Sequence, residues 1–253
     1  MVDCHLKPDE DARMDRLADT RFIPVSPAPA RASAYGWLRD AVRLWRAHPF
    51  GVTGVAVVPI VFELLFQLVP GVGIVASKLL TPLATAWSFA ALDARVRRGA
   101  YAPGASAGLV LSRWKPLLGL IALSFGLFCV QCAVAAWLGG PAQAVALVTG
   151  DLAAFTLGRA EIAVVFASGA LLGTPLMFAL PRVLLDGLGL RAALLDNLRL
   201  VRRHVHAVIA IGLVTAGAVA SVVYAPWVML IILPLGLCTG YAAYRDVDRR
   251  DAR

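Results

Sequence analysis

The chain has 253 residues, of which 59% are hydrophobic and only 16% charged, with a mean hydropathy of +0.74. Soluble domains carry about 25% charged residues, so this composition excludes a soluble globular protein and assigns the chain to a membrane. The formal charge of +8 does not point to nucleic acid, because the Lys and Arg residues punctuate apolar runs instead of clustering on one soluble face.

In chain order, residues 1–33 hold mixed charges and then a Pro/Ala-rich run. This stretch cannot bury a core and is expected to be a disordered cytoplasmic tail. It lacks the apolar segment of a signal peptide, and Cys4-His5 within it supplies too few ligands for a metal. Next comes DAVRLWRAH (Asp40 to His48), which returns 156 positions later as DNLRLVRRH (Asp196 to His204). In the first copy Trp37, Leu38, Ala41, Val42, Leu44 and Trp45 follow helical spacing, with Arg39, Arg43 and Arg46 on another face. In the second, Leu194, Leu198, Val201 and Val205 form the apolar stripe beside Arg191, Arg199, Arg202 and Arg203. Both read as interfacial helices lying on the cytoplasmic leaflet, with Arg39, Arg43, Arg46, Arg199, Arg202 and Arg203 near anionic lipid headgroups. Asp40 and Asp196 each precede an Arg by three residues, a spacing for a local ion pair.

Six apolar runs are long enough to cross a bilayer core of ~30 Å as helices, at about 50–69, 73–94, 117–138, 160–181, 206–224 and 227–244. They lack the alternation of barrel strands, and lipid gives the backbone no hydrogen-bond partner, so the fold expected over 34–246 is all-α. It comprises three transmembrane hairpins preceded by interfacial amphipathic helices, with 247–253 as a short tail. His48 precedes Pro70 by 22 positions and His204 precedes Pro226 by the same 22, which extends the repeat to a whole unit of helix plus hairpin. Ser106 to Lys115, followed by Pro116, reads as a weaker third copy.

Within the spans, Glu63 lies seven residues before the turn at Pro70-Gly71 and Lys78 about seven after it. In an antiparallel hairpin the two fall at one depth, ~10 Å from its outer end, and are expected to pair, with Gln67 nearby. Val219 and Pro234 occupy the equivalent places in the last unit, so this pair stands outside the repeat. Cys129-Val-Gln-Cys132 falls inside the third span and reads as small buried residues, with no further ligands for zinc at that depth. Asp93 and Arg97 are spaced for a local ion pair, and Pro59, Pro82, Pro175 and Pro234 for kinks. No phosphate loop, HExxH or GxSxG occurs, and His204 with His206 reads as a membrane-boundary anchor, so no catalytic residue, metal site or cofactor is assigned.

Of the 24 Lys and Arg residues, all but Lys78 and Arg159 precede the first span, follow the last, or lie in the two connections on the same side. This positive-inside pattern places both termini in the cytoplasm. Arg outnumbers Lys by 21 to 3 amid abundant Ala, as in GC-rich bacterial genomes, so the membrane expected is the bacterial inner membrane.

Gly36-Trp37, Leu44 through Pro49, Pro70-Gly71, Pro181, Asn197 through His204 and the closing YAAYRD (Tyr241 to Asp246) together resemble an uncharacterised bacterial family of six-span integral membrane proteins. That family is allied to the membrane domain that accompanies some glycerophosphodiester phosphodiesterases. The resemblance covers about 34–246 and implies an inner-membrane location without an established reaction. The expected function is therefore a non-enzymatic scaffold or an envelope- or lipid-related membrane protein. The alternative is a small transporter or channel using Glu63 and Lys78. Membrane lipids are the expected partners, and a membrane-protein partner or a second copy stays open. An aqueous cavity reaching Glu63 would favour transport, and a dry bundle with the pair sealed would favour the structural reading.

Overall fold

A computed structural model describes residues 33–69, 71–151 and 153–251. The molecule is 86% helical, with no strand among the described residues and six helices long and apolar enough to span a membrane, and is an all-α membrane protein. The tail expected over 1–33, apart from Ser33, and the turn residue Pro70 lie outside the described residues.

Helix α1 (Ala34–Ala47) is started by Ser33, whose Oγ accepts from the Gly36 amide at 3.0 Å. It stops at His48 because Pro49 disfavours helical backbone in the residue before it, and the same Pro49 then opens α2 (Pro49–Gln67) at a position that needs no N–H donor. Beyond Gly71, which turns with φ +77°, α3 (Gly73–Arg98) returns and is closed by Gly99 in the left-handed region. The central unit follows: α4 (Pro103–Ser112), α5 (Trp114–Gly139), α6 (Pro141–Thr149) and α7 (Arg159–Gly173), which ends in a 3-10 turn, Thr174–Leu176. A short α8 (Ala179–Leu184) leads to α9 (Leu190–Arg203), α10 (Val205–Val222), a 3-10 turn and α11 (Met229–Asp251).

The repeat has a structural counterpart. Helices α1, α2 and α3 begin at 34, 49 and 73, and α9, α10 and α11 begin 156 positions later in each case. Both amphipathic helices are 14 residues long, and His48 and His204 each stand at the break between such a helix and its span.

The six spans close into a ring. Neighbours touch in the order α2, α3, α5, α7, α10, α11, and α11 meets α2 again. Packing around this ring is uneven along its axis. The buried residues of α2 (Val52, Val55, Ala56), α10 (Ala207 to Gly212) and α11 (Cys238 to Val247), and the buried run of α3 from Ala84 to Ala94, all lie toward the Arg-rich end. Toward the opposite end the helices loosen, except where α6 and the following loop pack Ala135, Leu157 and Val165 together.

Several expectations need correction. The apolar face of α1 seats on protein, not lipid: Trp37 is 1% exposed and packs with Phe178, Leu200, Ala243 and Val247. The buried stripe of α9 is Ala193, Asn197 and Leu200, one position off the expected one, and Leu198 and Val205 stay exposed. These two helices leave water when they dock, so each large apolar side chain such as Leu44 or Leu200 contributes about 1.5–3 kcal/mol. Contacts between spans, by contrast, replace lipid and gain mainly packing and hydrogen bonds. The fourth span ends at Leu176, so Pro181 belongs to α8 and does not close the span. The connection after Gly139 contains α6, and the short helix before the third span is Pro103–Ser112, ahead of the expected Ser106 to Lys115 and, with no charged residue, not amphipathic like α1 and α9.

Candidate functional site: a polar-ended cleft between the spans

The Glu63–Lys78 pair lies near the loosened end of the ring. Glu63 is four residues from the end of α2 and Lys78 five from the start of α3, which puts both ~6–8 Å inside that end of the hairpin. The Lys78 ammonium donates to Glu63 Oε1, and Gln67 Nε2 donates to the same oxygen at 3.2 Å, so the hairpin brings the three residues together. The ammonium also sits 5.9 Å from the centroid of the buried Phe128 ring on α5, a cation–π distance. The pair is not sealed in protein, since 23% of the Glu63 and 30% of the Lys78 side-chain surface remains exposed.

From this pair a partly open cleft of about 410 Å³ runs between α3, α5 and α7. Its walls are α3 (Thr81, Pro82, Thr85), α5 (Leu120, Leu123, Ser124, Leu127, Gln131) and α7 (Gly169, Gly173), and its floor is Leu176, Ala179 and Leu180. Along α5 the lining runs from Leu120 to Gln131, ~16 Å of helical rise. The local sequence explains the space. Gly169 and Gly173 carry no side chain, and a Cβ on Gly169 would run into Gln131, whose Nε2 instead reaches the Val165 carbonyl at 3.3 Å. Pro82 provides no N–H for the Lys78 carbonyl one turn earlier. Thr81 Oγ1 is buried without a hydrogen-bond partner among the described residues.

The floor is held by a second polar centre that the sequence reading missed. Arg182, 9% exposed, donates to Asp186 at 2.8 Å, and its Nε lies 2.8 Å from Asp196; Asp248 lies at 3.4 Å, and the Tyr244 ring is in cation–π range. Asp196 thus pairs across elements and not with an Arg on its own helix, whereas Asp40 lies 3.6 Å from both Arg39 and Arg43. Burial works against the Arg182 cation, but its bond to Asp186 and the surrounding carboxylates outweigh that and hold its pKa above the ordinary value. The terminal YAAYRD motif supplies the rest. The Tyr241 hydroxyl donates to Asp93 at 2.9 Å, the Tyr244 hydroxyl to Asp186 at 2.6 Å, and Asp246 accepts from the Trp37 indole at 2.9 Å. Asp93 also holds Arg97 at 2.7 Å, as its spacing predicts. Asn197 ties the broken end of the fourth span to α9, accepting from the Phe178 amide at 3.1 Å and donating to the Pro175 carbonyl at 2.8 Å. The sequence signals were the Arg182/Asp186 spacing and the shared face of Tyr241, Tyr244 and Asp248.

Of the Arg residues expected near headgroups, Arg43, Arg46, Arg199, Arg202 and Arg203 are exposed on α1 and α9, and Arg39 is half-buried. His48 lies between α1 and α2 with both ring nitrogens 3.1 Å from the Arg95 guanidinium; burial and then that positive charge lower its pKa. Tyr101, stacked under Arg95, is pushed up by burial. Cys129 is exposed and Cys132 half-buried, and among the described residues no group of three or more His, Cys, Asp or Glu side chains is placed to hold a metal ion. The arrangement can orient a molecule that is polar at one end and apolar along its length. Comparison of the chain with known protein families, with curated proteins and with solved structures finds no match.

Proposed function

We propose that this chain is an integral protein of the bacterial cytoplasmic membrane that binds one amphiphilic, lipid-like molecule in its cleft and catalyses no reaction on it. The observation that carries this reading is the lining: an ion pair at one end and walls rich in Leu, interrupted by Thr81, Thr85, Ser124 and Gln131, that lead to Leu176, Ala179 and Leu180. The volume lies within the ~300–1,000 Å³ of small-molecule sites. Both termini face the cytoplasm in this reading, supported by the distribution of Lys and Arg. The exposed Arg residues of α1 and α9 then meet the anionic headgroups of the inner leaflet, and the Glu63–Lys78 pair lies toward the outer leaflet. The six-span family that the motifs resemble fits this setting.

Transport is the second reading, favoured by a cleft that reaches Glu63 and by the incomplete burial of Glu63 and Lys78. Cysteine accessibility in cells separates the two. In a cysteine-free chain, single Cys residues are placed at Thr81 and Ser124 in the cleft, at Gly71 in the outer turn and at Arg46 on α1. The binding reading expects Gly71 to react with an impermeant reagent from outside and Arg46 only after permeabilisation, while 81 and 124 react with a lipid-soluble maleimide alone. Reaction of 81 and 124 with the impermeant reagent at the rate of Gly71 favours a hydrated pathway. Silence toward both reagents removes the cleft and with it both readings.

A further inference from the structure

Resting on the amphiphile reading, we infer that the cleft selects a zwitterionic amphiphile, one whose head carries a cationic and an anionic group. Such a head binds by exchanging partners with the Glu63–Lys78 pair. Lys78 and Glu63 neutralise each other at the only charged point of the cleft lining. An anionic head that took Lys78 would leave Glu63 stranded, and a cationic head on Glu63 would strand Lys78; an uncompensated ion in a poorly solvated site is strongly unfavourable. A zwitterion leaves no ion alone, since its ammonium replaces Lys78 on Glu63 while its phosphate takes the Lys78 ammonium.

Unused hydrogen-bonding capacity surrounds that exchange. Lys78 has three N–H donors and spends one on Glu63. Thr81 and Pro82, one turn along α3, line the cleft beside this pair. The remaining Lys78 N–H groups are then donors for the anionic oxygens of a head seated between α3 and α5. The apolar floor at Leu176 and Leu180 then receives the chain of the ligand, ~16 Å along α5 from the level of Gln131. The bound molecule stands with its head toward the Glu63 end and its tail toward the Arg-rich end.

The test is native mass spectrometry of the full chain in detergent, offered equimolar phosphatidylethanolamine, phosphatidylcholine, phosphatidylglycerol and diacylglycerol with identical acyl chains. The expected result is one retained lipid, with the two zwitterions favoured over phosphatidylglycerol and diacylglycerol by about tenfold. The double variant Glu63→Gln/Lys78→Met removes both charges and strands neither; it should still retain one lipid but lose the preference. Gly173→Leu, where a Cβ meets only Leu127 at 3.7 Å, fills the cleft and should abolish retention. Preference for phosphatidylglycerol or diacylglycerol, or a preference that survives the double variant, overturns the zwitterion inference while leaving an amphiphile cleft. Retention undiminished by Gly173→Leu overturns the cleft reading itself.

Discussion

Replacing Arg182 with Met should loosen the floor of the cleft, because the guanidinium is the shared partner of Asp186, Asp196 and Asp248. Removing one member of a buried ion pair costs ~3–5 kcal/mol, most of it from the charge left behind. Here the carboxylates keep 25%, 28% and 46% of their side-chain surface, and Asp248 is the most distant at 3.4 Å, so solvent relieves part of the repulsion. The loss should therefore lie at the low end, about 3 kcal/mol. For a chain of this size that corresponds to a fall in melting temperature of roughly 6–12 °C, read by thermal unfolding of the purified protein in detergent. Arg182→Lys keeps the charge but not the planar fork that reaches three acceptors, and should recover only part of the loss. Arg43→Met, on the exposed face of α1, should move the midpoint by less than about 2 °C. A midpoint for Arg182→Met indistinguishable from that of Arg43→Met would refute the claim that the Arg182 centre holds α8, α9 and α11 together.

Three other perturbations probe separate parts of the fold. Asn197→Ala leaves the Phe178 amide and the Pro175 carbonyl without their partner and should destabilise by about 2 kcal/mol, and Asn197→Asp, which sets a buried carboxylate oxygen against the Pro175 carbonyl, should cost at least as much; a wild-type midpoint for either variant would contradict this. His48 takes up a proton less readily in the fold than at its ordinary value of 6.5. Its contribution to stability is therefore full above 6.5 and is lost as pH falls toward the lowered folded value. The melting temperature should drop between pH 7.5 and 5.5, and His48→Gln, which cannot become charged beside Arg95, should flatten that drop; an unchanged pH profile would sink the assignment. Glu63→Lys sets two ammonium groups together inside the hairpin, at a cost of the order of 2.5–3.5 kcal/mol, and should reduce assembled protein in the membrane, while the double swap with Lys78→Glu should restore it. Absence of rescue, measured as monodisperse protein after extraction, would argue that the pairing does not support assembly.

How far each feature could be read in the sequence depended on how local its cause was. The spans were legible because a run of some twenty apolar residues has few other uses, and Glu63 with Lys78 because a hairpin makes equal distances from the turn into equal depths. Helix α6 was hidden because PAQAVALVT is apolar yet only nine residues long, too short to stand out from a connection. The contact face of α9 was misread by one position, which is ~100° around a helix. The sequence drew attention to Leu194 and Leu198, but the face that docks is defined by the small Ala193 and by Asn197, a polar side chain buried because it satisfies two backbone groups. Arg182 and Asp248 are 66 positions apart, and nothing local joins them. The cleft was the least legible feature, since a void is set by what three helices fail to fill and only its glycines leave a trace.

The repeat and the cleft then fit together as scaffold and exception. Two copies of one unit, offset by 156 residues, place their amphipathic helices and span starts in matching positions, and their well-packed portions meet at the Arg-rich end. The candidate site uses what the copies do not share. Glu63 and Lys78 correspond to Val219 and Pro234 in the second copy, so the ion pair occurs in one hairpin only. Apart from Thr81, Pro82 and Thr85 of α3, the other cleft walls and the floor come from α5, α7, the 3-10 turn after it and α8, in the central part of the chain that follows the repeat least closely. A structure that needed only rigidity would gain from repeating its packing on all sides. Here the departures converge on one space with a single polar end, while the repeated parts bury the residues that keep the Arg-rich end closed. On the proposed reading that division suits a binding element on a rigid support, and changes at the Glu63 end that keep charge balance, such as Glu63→Gln with Lys78→Met, should alter ligand preference with less loss of fold than Glu63→Lys.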